Sequence, residues 1–296
     1  MTARPPSRAR GHGAQTTLVG VMGDPIAHSL SPVLHNAAFD AMGIDWVSLA
    51  FRVRTADLAG ALAGVRALGL AGLSVTMPHK AGVVPLLDEL TPVARSLGAV
   101  NCIVRRGSVL VGDNTDGEGF LAALRRGADL DPEGLRCMVL GAGGAARAVI
   151  LALAQSGASE VLVVNRTPQR AADAASLAGR AGRIGTPEDA PGMDIVVQAT
   201  PAGMAGVETG ARPLVDAAVL GPGRLAVDLV YHPLVTPWLD AAARHGAKTL
   251  GGLGMLVHQA AAQIERWTGS APPVEELWTA VSADGGMQPA DPPPIG

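Results

Sequence analysis

Lysine is nearly missing from this chain of 296 residues: of 23 basic residues, only Lys80 and Lys248 are lysine. Tyrosine occurs once, at Tyr231, and asparagine four times, at Asn36, Asn101, Asn114 and Asn165. Two cysteines, Cys102 and Cys137, are too few for a disulfide scaffold or a four-cysteine zinc site, so the chain reads as a reduced, cytoplasmic protein without a metal centre. No apolar run approaches the roughly 18 residues of a membrane-spanning helix. The first residues carry Arg4, Arg8 and Arg10 but no apolar stretch of the kind a signal peptide needs. Charged residues make up 17% and the net charge is −3, which argues against a broad nucleic-acid footprint. Neither membrane nor nucleic acid is therefore an expected partner. No internal repeat of 20–50 residues is visible.

What is present is apolar and small. Hydrophobic residues, alanine among them, make up 48%, enough for a substantial core, and glycine and arginine are prominent in the rest. Against that background a lysine or an asparagine is not the default residue, and its position carries weight. The proline-bearing ends, 1–15 and 283–296, are expected to be disordered tails.

Between them the pattern alternates. Thr17 to Met22, Trp46 to Arg52 and Gly72 to Thr76 read as strands. Helices are expected from Ser31-Pro32, from Thr55 to Leu68 and from Lys80 to Leu90, which makes a parallel α/β unit. Ala99 to Arg105 and Ser108 to Gly112 flank Arg106-Gly107 as a hairpin. The polar stretch Gly112 to Gly117 reads as a loop, and a helix from Gly117 to Leu124 bridges to a second series. That series has strands at Arg136 to Leu140, Glu160 to Val164, Asp194 to Gln198 and Leu225 to Leu229. A helix from Ala145 to Ser156 follows the first of them. Two helices, Met255 to Thr268 and Val274 to Val281, close the chain.

The second series opens with Gly141-Ala142-Gly143-Gly144-Ala145-Ala146, directly between a strand and a helix. This fits G-x-G-x-x-G/A with Ala146 last. Such glycines permit a tight turn and let backbone N–H groups approach a pyrophosphate at the helix N-terminus. The next strand ends in Asn165-Arg166-Thr167, with Arg170 a turn later, where an NAD site usually has a carboxylate for the ribose. Arginine's planar fork suits a 2′-phosphate, so NADP is expected rather than NAD. An arginine-capped helix start without a ligand is the alternative.

The first unit carries the candidate chemistry. Ser29 and Ser31 flank a helix start, where two hydroxyls can hold a small carboxylate; N-capping by Ser31 is the plainer alternative. Lys80 lies just past the third strand, at the sheet end where open α/β folds bind ligands. An ammonium there can carry a proton, as arginine cannot. Asp116, in the polar loop, could balance and orient it. A solvated first-turn lysine is the alternative, weakened by the scarcity of lysine. His79 reads as a helix-start residue. Asn101, within an apolar strand, must find a partner, and a substrate hydroxyl could be one.

These residues resemble the shikimate dehydrogenase family. The resemblance runs from about Leu18 to Val281, with the motifs GDPIAHSLSP, SVTMPHK, GAVN, GDNTDG, GAGGAAR, NRT, QATPAG, DLVYHP and GGLGMLVHQAA in family order. It implies two α/β lobes, an N-terminal substrate-binding domain at 16–116 and a Rossmann-like NADP-binding domain at 117–251, with C-terminal helices at 252–282 returning to the first lobe. It implies that Ser29 and Ser31 hold the carboxylate of shikimate. Thr76, Lys80, Asn101 and Asp116 would contact ring hydroxyls, with Lys80 and Asp116 the catalytic pair, while Tyr231 and Gln259 complete the pocket. The stretch from Gly141 through Ala142, Gly143 and Gly144 to Ala145 would bind the pyrophosphate, and Asn165, Arg166, Thr167 and Arg170 the adenosine 2′-phosphate. Thr200 would line the cofactor groove, with Leu229, Gly252 and Met255 near the nicotinamide.

Two positions depart from the family pattern. Ser74 stands where asparagine is common, which shortens one ring contact, and Gly251 where aspartate often precedes Gly-Leu-Gly-Met. The expected activity is reversible reduction of 3-dehydroshikimate by NADPH, in a monomer or homodimer. A quinate or aminoshikimate dehydrogenase using NAD is one alternative. A sensor that binds ligand and nucleotide without turnover is another, disfavoured by the intact Lys80 and Asp116.

Overall fold

The computed structural model describes residues 12–205 and 212–284. The expected tails lie outside these, apart from 12–15 and 283–284. The chain forms two six-stranded sheets, one in each half.

The first sheet contains β1 (Thr17–Gly23), β2 (Trp46–Arg52), β3 (Gly72–Val75), β4 (Glu89–Leu90), β5 (Cys102–Arg106) and β6 (Val109–Asp113). Its order is β2-β1-β3-β5-β6-β4. β1 runs parallel to β2 and β3, while the β5–β6 hairpin adds antiparallel to β3. Helices α1 (Ser31–Met42), α2 (Leu58–Leu68) and α3 (Pro92–Leu97) cover it. α1 begins with proline in its first turn, where no N–H is needed.

α4 (Asp116–Gly127) leads to the second sheet. Its elements are β7 (Arg136–Leu140), α5 (Gly144–Gln155), β8 (Glu160–Val164), α6 (Pro168–Ala175), β9 (Gly182–Ile184), β10 (Ile195–Gln198), β11 (Leu225–Asp228), α7 (Pro237–Arg244) and β12 (Lys248–Leu250). All its strands are parallel, in the order β12-β11-β10-β7-β8-β9. That is the strand order of a doubly wound dinucleotide-binding sheet, whose crevice opens where the winding reverses, between β7 and β10. The central strands are apolar throughout, as burial on both faces requires: Cys137, Met138, Val139 and Leu140 of β7 are all fully buried.

α8 (Leu253–Thr268) and α9 (Val274–Asp284) return to the first sheet. Ile264, Leu277 and Val281 share a core with Val19, Leu34 and Phe39. Trp267 Nε1 donates to the Ile103 carbonyl at 3.0 Å. α8 also lies along α4, so close that a methyl group on Gly119 would sit 2.6 Å from the backbone nitrogen of Gln259.

Several local expectations are corrected. The helix expected from Lys80 to Leu90 does not form. Residues after His79 make turns, a 3-10 turn over Val84–Leu86 and the short strand β4. Pro85 offers no N–H to a helix and disfavours helical backbone at the residue before it. His79 starts no helix; it is buried, with Nε2 2.6 Å from the Val53 carbonyl. Ser31 is not the N-cap of α1. Leu30 holds that position and Ser31 is the first helical residue, its N–H donating to Ser29 Oγ at 3.3 Å. Asn101 stands just ahead of β5, not within it.

Candidate active site

The polar loop after β6 turns directly into α4, and that turn sets the geometry. Asn114 Nδ2 donates to the Ala99 carbonyl at 3.1 Å, and its Oδ1 accepts the Asp116 N–H at 3.1 Å. Asp116 is thereby fixed at the first position of α4, where a carboxylate also sits well against the helix dipole. Lys80 is tied to the same place from the other side, since its carbonyl accepts the Val100 N–H at 2.8 Å.

The two side chains meet. Lys80 Nζ donates to Asp116 Oδ2 at 2.5 Å, with the lysine side chain 18% exposed and the carboxylate 5%. Asp116 Oδ1 accepts from Asn101 Nδ2 at 2.8 Å. The same amide nitrogen reaches Thr115 Oγ1 at 3.0 Å and Gln259 Oε1 at 3.3 Å. Lys80, Asn101, Asp116 and Gln259 thus form one hydrogen-bonded group drawn from four separate stretches of the chain. Its charge is balanced, and its one partly exposed member is the amine.

The other expected substrate residues lie on neighbouring segments without a bond into this group. Ser74 is buried in β3, and Thr76 follows it half-buried. Thr76 N–H donates to the Met22 carbonyl at 3.0 Å, which docks it beside the loop that leads to Ser29 and Ser31. Tyr231 is half-buried, and burial raises its hydroxyl pKa above the ordinary value. It follows Val230, whose carbonyl accepts the Gly252 N–H at 3.2 Å at the start of α8.

The second lobe meets the first at the glycine loop. A methyl group on Gly144 would sit 3.5 Å from Lys80 Cδ. Arg147 Nε donates to the Leu97 carbonyl at 2.9 Å, and Ala148 packs with Leu97 and Ala99. The amine therefore stands at the edge of the dinucleotide crevice.

The crevice fits a dinucleotide. Gly141 has φ +117°, and a side chain there would press on Thr200 Cγ2 at 3.1 Å and on the Ala199 carbonyl at 3.2 Å. Only glycine suits such a backbone. Thr200 is itself held, its N–H and hydroxyl both donating to Gln198 Oε1. Gly143 is exposed, has open space where a Cβ would be, and begins α5 with no side-chain cap, so the helix N–H groups are free for a phosphate. Half-buried Ala142 and Ala145 complete the loop. Past β8, Asn165 Nδ2 donates to the Thr167 carbonyl at 3.1 Å. Arg166, Thr167 and Arg170 are exposed, and neither arginine has an acidic partner among the described residues. Two unpaired guanidinium groups and no carboxylate at the end of β8 suit a 2′-phosphate rather than a bare ribose. Leu229 is half-buried at the end of β11, and Met255 is buried in the core of this lobe. Gly252 is forced: a Cβ there would lie 2.2 Å from the Leu229 carbonyl oxygen.

Among the described residues no cluster of three or more His, Cys, Asp or Glu could hold a metal, and no helix is long and apolar enough to cross a membrane. Sequence reasoning missed Thr115, Asn114, Arg147 and the role of Gln263, which is wholly buried beside Gln259. Asn114 carried a signal in the rarity of asparagine; Arg147, one arginine among many, carried none.

A doubly wound dinucleotide lobe facing an amine–carboxylate pair on a second α/β lobe defines a two-lobed oxidoreductase. Comparison with known proteins gives the family. Residues 21–103 match the shikimate dehydrogenase substrate-binding domain, 124–229 the shikimate/quinate 5-dehydrogenase model, and 252–281 the shikimate 5′-dehydrogenase C-terminal domain. The NADP(+) shikimate dehydrogenase of Moorella thermoacetica is 46% identical over 276 residues, covering 88% of this chain and 91% of its own. The solved shikimate 5-dehydrogenase of Thermus thermophilus, in complex with NADP(H) and shikimate, is 37% identical with a TM-score of 0.83, covering 90% of this chain and 99% of its own. Quinate dehydrogenase of Corynebacterium glutamicum, in complex with NAD, is 31% identical with a TM-score of 0.82, covering 90% of this chain and 99% of its own. The chain belongs to the shikimate dehydrogenase family.

Proposed function

We propose that this protein reversibly reduces 3-dehydroshikimate to shikimate with NADPH, a step in aromatic amino-acid biosynthesis. The observation that carries the reading is the Lys80–Asp116 pair, bonded at 2.5 Å beside the glycine loop. The bound cofactor supplies the hydride that adds to the substrate C3 carbonyl carbon. Lys80 gives the carbonyl oxygen its proton, directly or through water, and takes it back in the reverse direction. Asp116 orients the amine and a ring hydroxyl. General acid–base assistance of this kind is typically worth about 10²–10⁴-fold.

Residues 16–116 serve as the substrate-binding domain, 117–251 as the dinucleotide-binding domain, and 252–282 carry Gln259 back to the substrate. Ser29 and Ser31 hold the substrate carboxylate. Ser74, Thr76, Tyr231 and Gln259 surround the ring, and Asn101 reaches a ring hydroxyl when that hydroxyl replaces one of its present partners. Gly141, Ala142, Gly143, Gly144 and Ala145 seat the pyrophosphate. Asn165, Arg166, Thr167 and Arg170 hold the adenosine 2′-phosphate, Thr200 lines the cofactor groove, and Leu229, Gly252 and Met255 lie near the nicotinamide. The proposed compartment is the cytoplasm, in keeping with two buried free thiols, and the working unit is a monomer or homodimer.

The test is an absorbance assay at the nicotinamide band with shikimate, quinate and their amino analogues, each with NADP and NAD. The expected result is the highest kcat/KM with shikimate and NADP. A preference for quinate with NAD, or cofactor binding without turnover, would overturn the proposal.

A further inference from the structure

Gln263 is wholly buried one helical turn beyond Gln259 on α8, and the mechanism above makes no use of it. Its surroundings fix which end of its amide faces which neighbour. Which end of a side-chain amide is oxygen follows from the groups it meets. Gln263 faces the Asn101 carbonyl at 3.0 Å, a pure acceptor, so the contacting atom is the donor Nε2. Asn101 is fixed in the same way. The Thr115 N–H, a pure donor, meets it at 2.8 Å, so that end is Oδ1 and the other end is Nδ2.

Gln259 is caught between these two nitrogens. Gln263 Nε2 donates to it at 2.9 Å and Asn101 Nδ2 at 3.3 Å. The atom that receives both is Oε1. Gln259 Nε2 is thus turned the other way; one of its hydrogens goes to the Leu256 carbonyl at 2.8 Å. No second acceptor for this nitrogen is seen among the described residues. The oxygen of Gln259 is engaged inside the protein, which leaves an amide N–H as the group it can offer to a ligand.

A buried histidine lies near the inner end of this chain. His35 is fully buried, with Nδ1 2.9 Å from Ser48 Oγ. Its Nε2 and Gln263 Oε1 are both buried without a hydrogen-bond partner. In a neutral ring that takes the Ser48 hydroxyl proton at Nδ1, Nε2 is the donor and Gln263 Oε1 is an acceptor.

We propose that Gln263 is a positioning residue: it locks the Gln259 carboxamide with oxygen inward and N–H outward, so that the substrate must present a hydrogen-bond acceptor at that point. This rests on the reading of Gln259 as a substrate contact. It restricts what can bind there to a hydroxyl, carboxylate or ketone oxygen; a group that can only donate, such as an ammonium in an amino analogue, is rejected.

The experiment is a double-mutant cycle on the full-length protein with Gln263→Met, which keeps the volume and removes the donor, and Gln259→Ala. Residues that act through one another give non-additive effects. Gln263→Met should raise the shikimate KM about threefold to tenfold, the worth of one hydrogen bond, and leave the NADP KM unchanged. In the Gln259→Ala background it should cost nothing further. Gln263→Glu, of nearly the same shape but with an acceptor facing the Asn101 carbonyl, should raise the shikimate KM at least as much. Melting temperatures are measured alongside. Additive effects, or a lowered melting temperature with the shikimate KM unchanged, would reduce Gln263 to a packing residue and overturn the inference. Failure of the unmodified protein to turn over shikimate would instead reject the reading of Gln259, which separates the two failures.

Discussion

Lys80 and Gly144, from opposite lobes, face each other: a Cβ added to the glycine would lie 3.5 Å from the lysine Cδ. The amine is therefore brought to the mouth of the glycine loop by the way the lobes pack, and Asp116 holds it there. A proton donor fixed beside the cofactor crevice is what reduction of a ring ketone requires.

Lys80→Ala is expected to lower kcat by about 10²–10⁴-fold, the range for loss of general acid–base assistance. The shikimate KM should change far less, because Ser29, Ser31 and the ring contacts remain. Steady-state rates in both directions check this, and near-normal turnover would refute the role of Lys80.

Arg166→Ala and Arg170→Ala should each raise the NADP KM while leaving the NAD KM near its starting value. One lost charge-assisted hydrogen bond is worth roughly 1.5–3 kcal/mol, or about tenfold or more. The readout is the ratio of kcat/KM for NADP to that for NAD. A ratio unchanged in the double variant would remove these arginines from the 2′-phosphate site.

Gly252→Ala is expected to be the most damaging glycine change in the crevice. The added carbon would lie 2.2 Å from the Leu229 carbonyl oxygen, a backbone atom that cannot turn aside. Overpacking of this kind costs about 1–3 kcal/mol. The melting temperature should fall, and the NADP KM should rise as the 229–231 segment is pushed away. A variant with both unchanged would show that α8 shifts freely at its start.

His35 and Asp228 should pull the acid side of the stability curve in opposite senses, with buried His258, its pKa lowered from 6.5 to about 4 by desolvation and by the charge of Arg126, acting in the same sense as His35. Burial lowers the His35 pKa from 6.5 to about 3, partly opposed by Gln263. The unfolded chain then binds the extra proton between those values, so this contribution is complete above pH 6.5 and is lost as the pH falls toward 3. Burial raises the Asp228 pKa from 3.8 to about 6, partly opposed by bonds from Thr236 and from the Val230 N–H. Here the folded state holds the extra proton, so the contribution is complete below pH 3.8 and is lost as the pH rises through 6. Thermal unfolding from about pH 4 to about pH 7 should show a steeper rise of stability with pH in Asp228→Asn and a flatter one in His35→Phe. The reverse order would contradict these assignments.

The sequence alone determined the two α/β series, the glycine loop and the rare residues worth weighing. These are local matters: β7 is apolar because both its faces are buried, and glycines between a strand and a helix mark a phosphate turn within a few residues. NADP over NAD was also legible, from Asn165-Arg166-Thr167 at the end of one strand. The helix expected from Lys80 to Leu90 failed because β4 pairs with β6, a partner about twenty residues later that no local pattern reveals. Strands as short as β9 and β12 and the brief helix α3 were missed, since a few residues carry too little periodicity.

Tertiary structure decided how the side chains are assembled. Asn101, Asp116 and Gln259 are separated by as many as 158 positions, yet they share hydrogen bonds because α8 returns across α4 at the glycine contact Gly119. Their amide directions depend on backbone groups of Thr115 and Asn101 that only the folded chain brings near. Burial makes each unpaired donor or acceptor costly, so the folded chain, and not the sequence order, selects the orientation of the Asn101 and Gln259 amides.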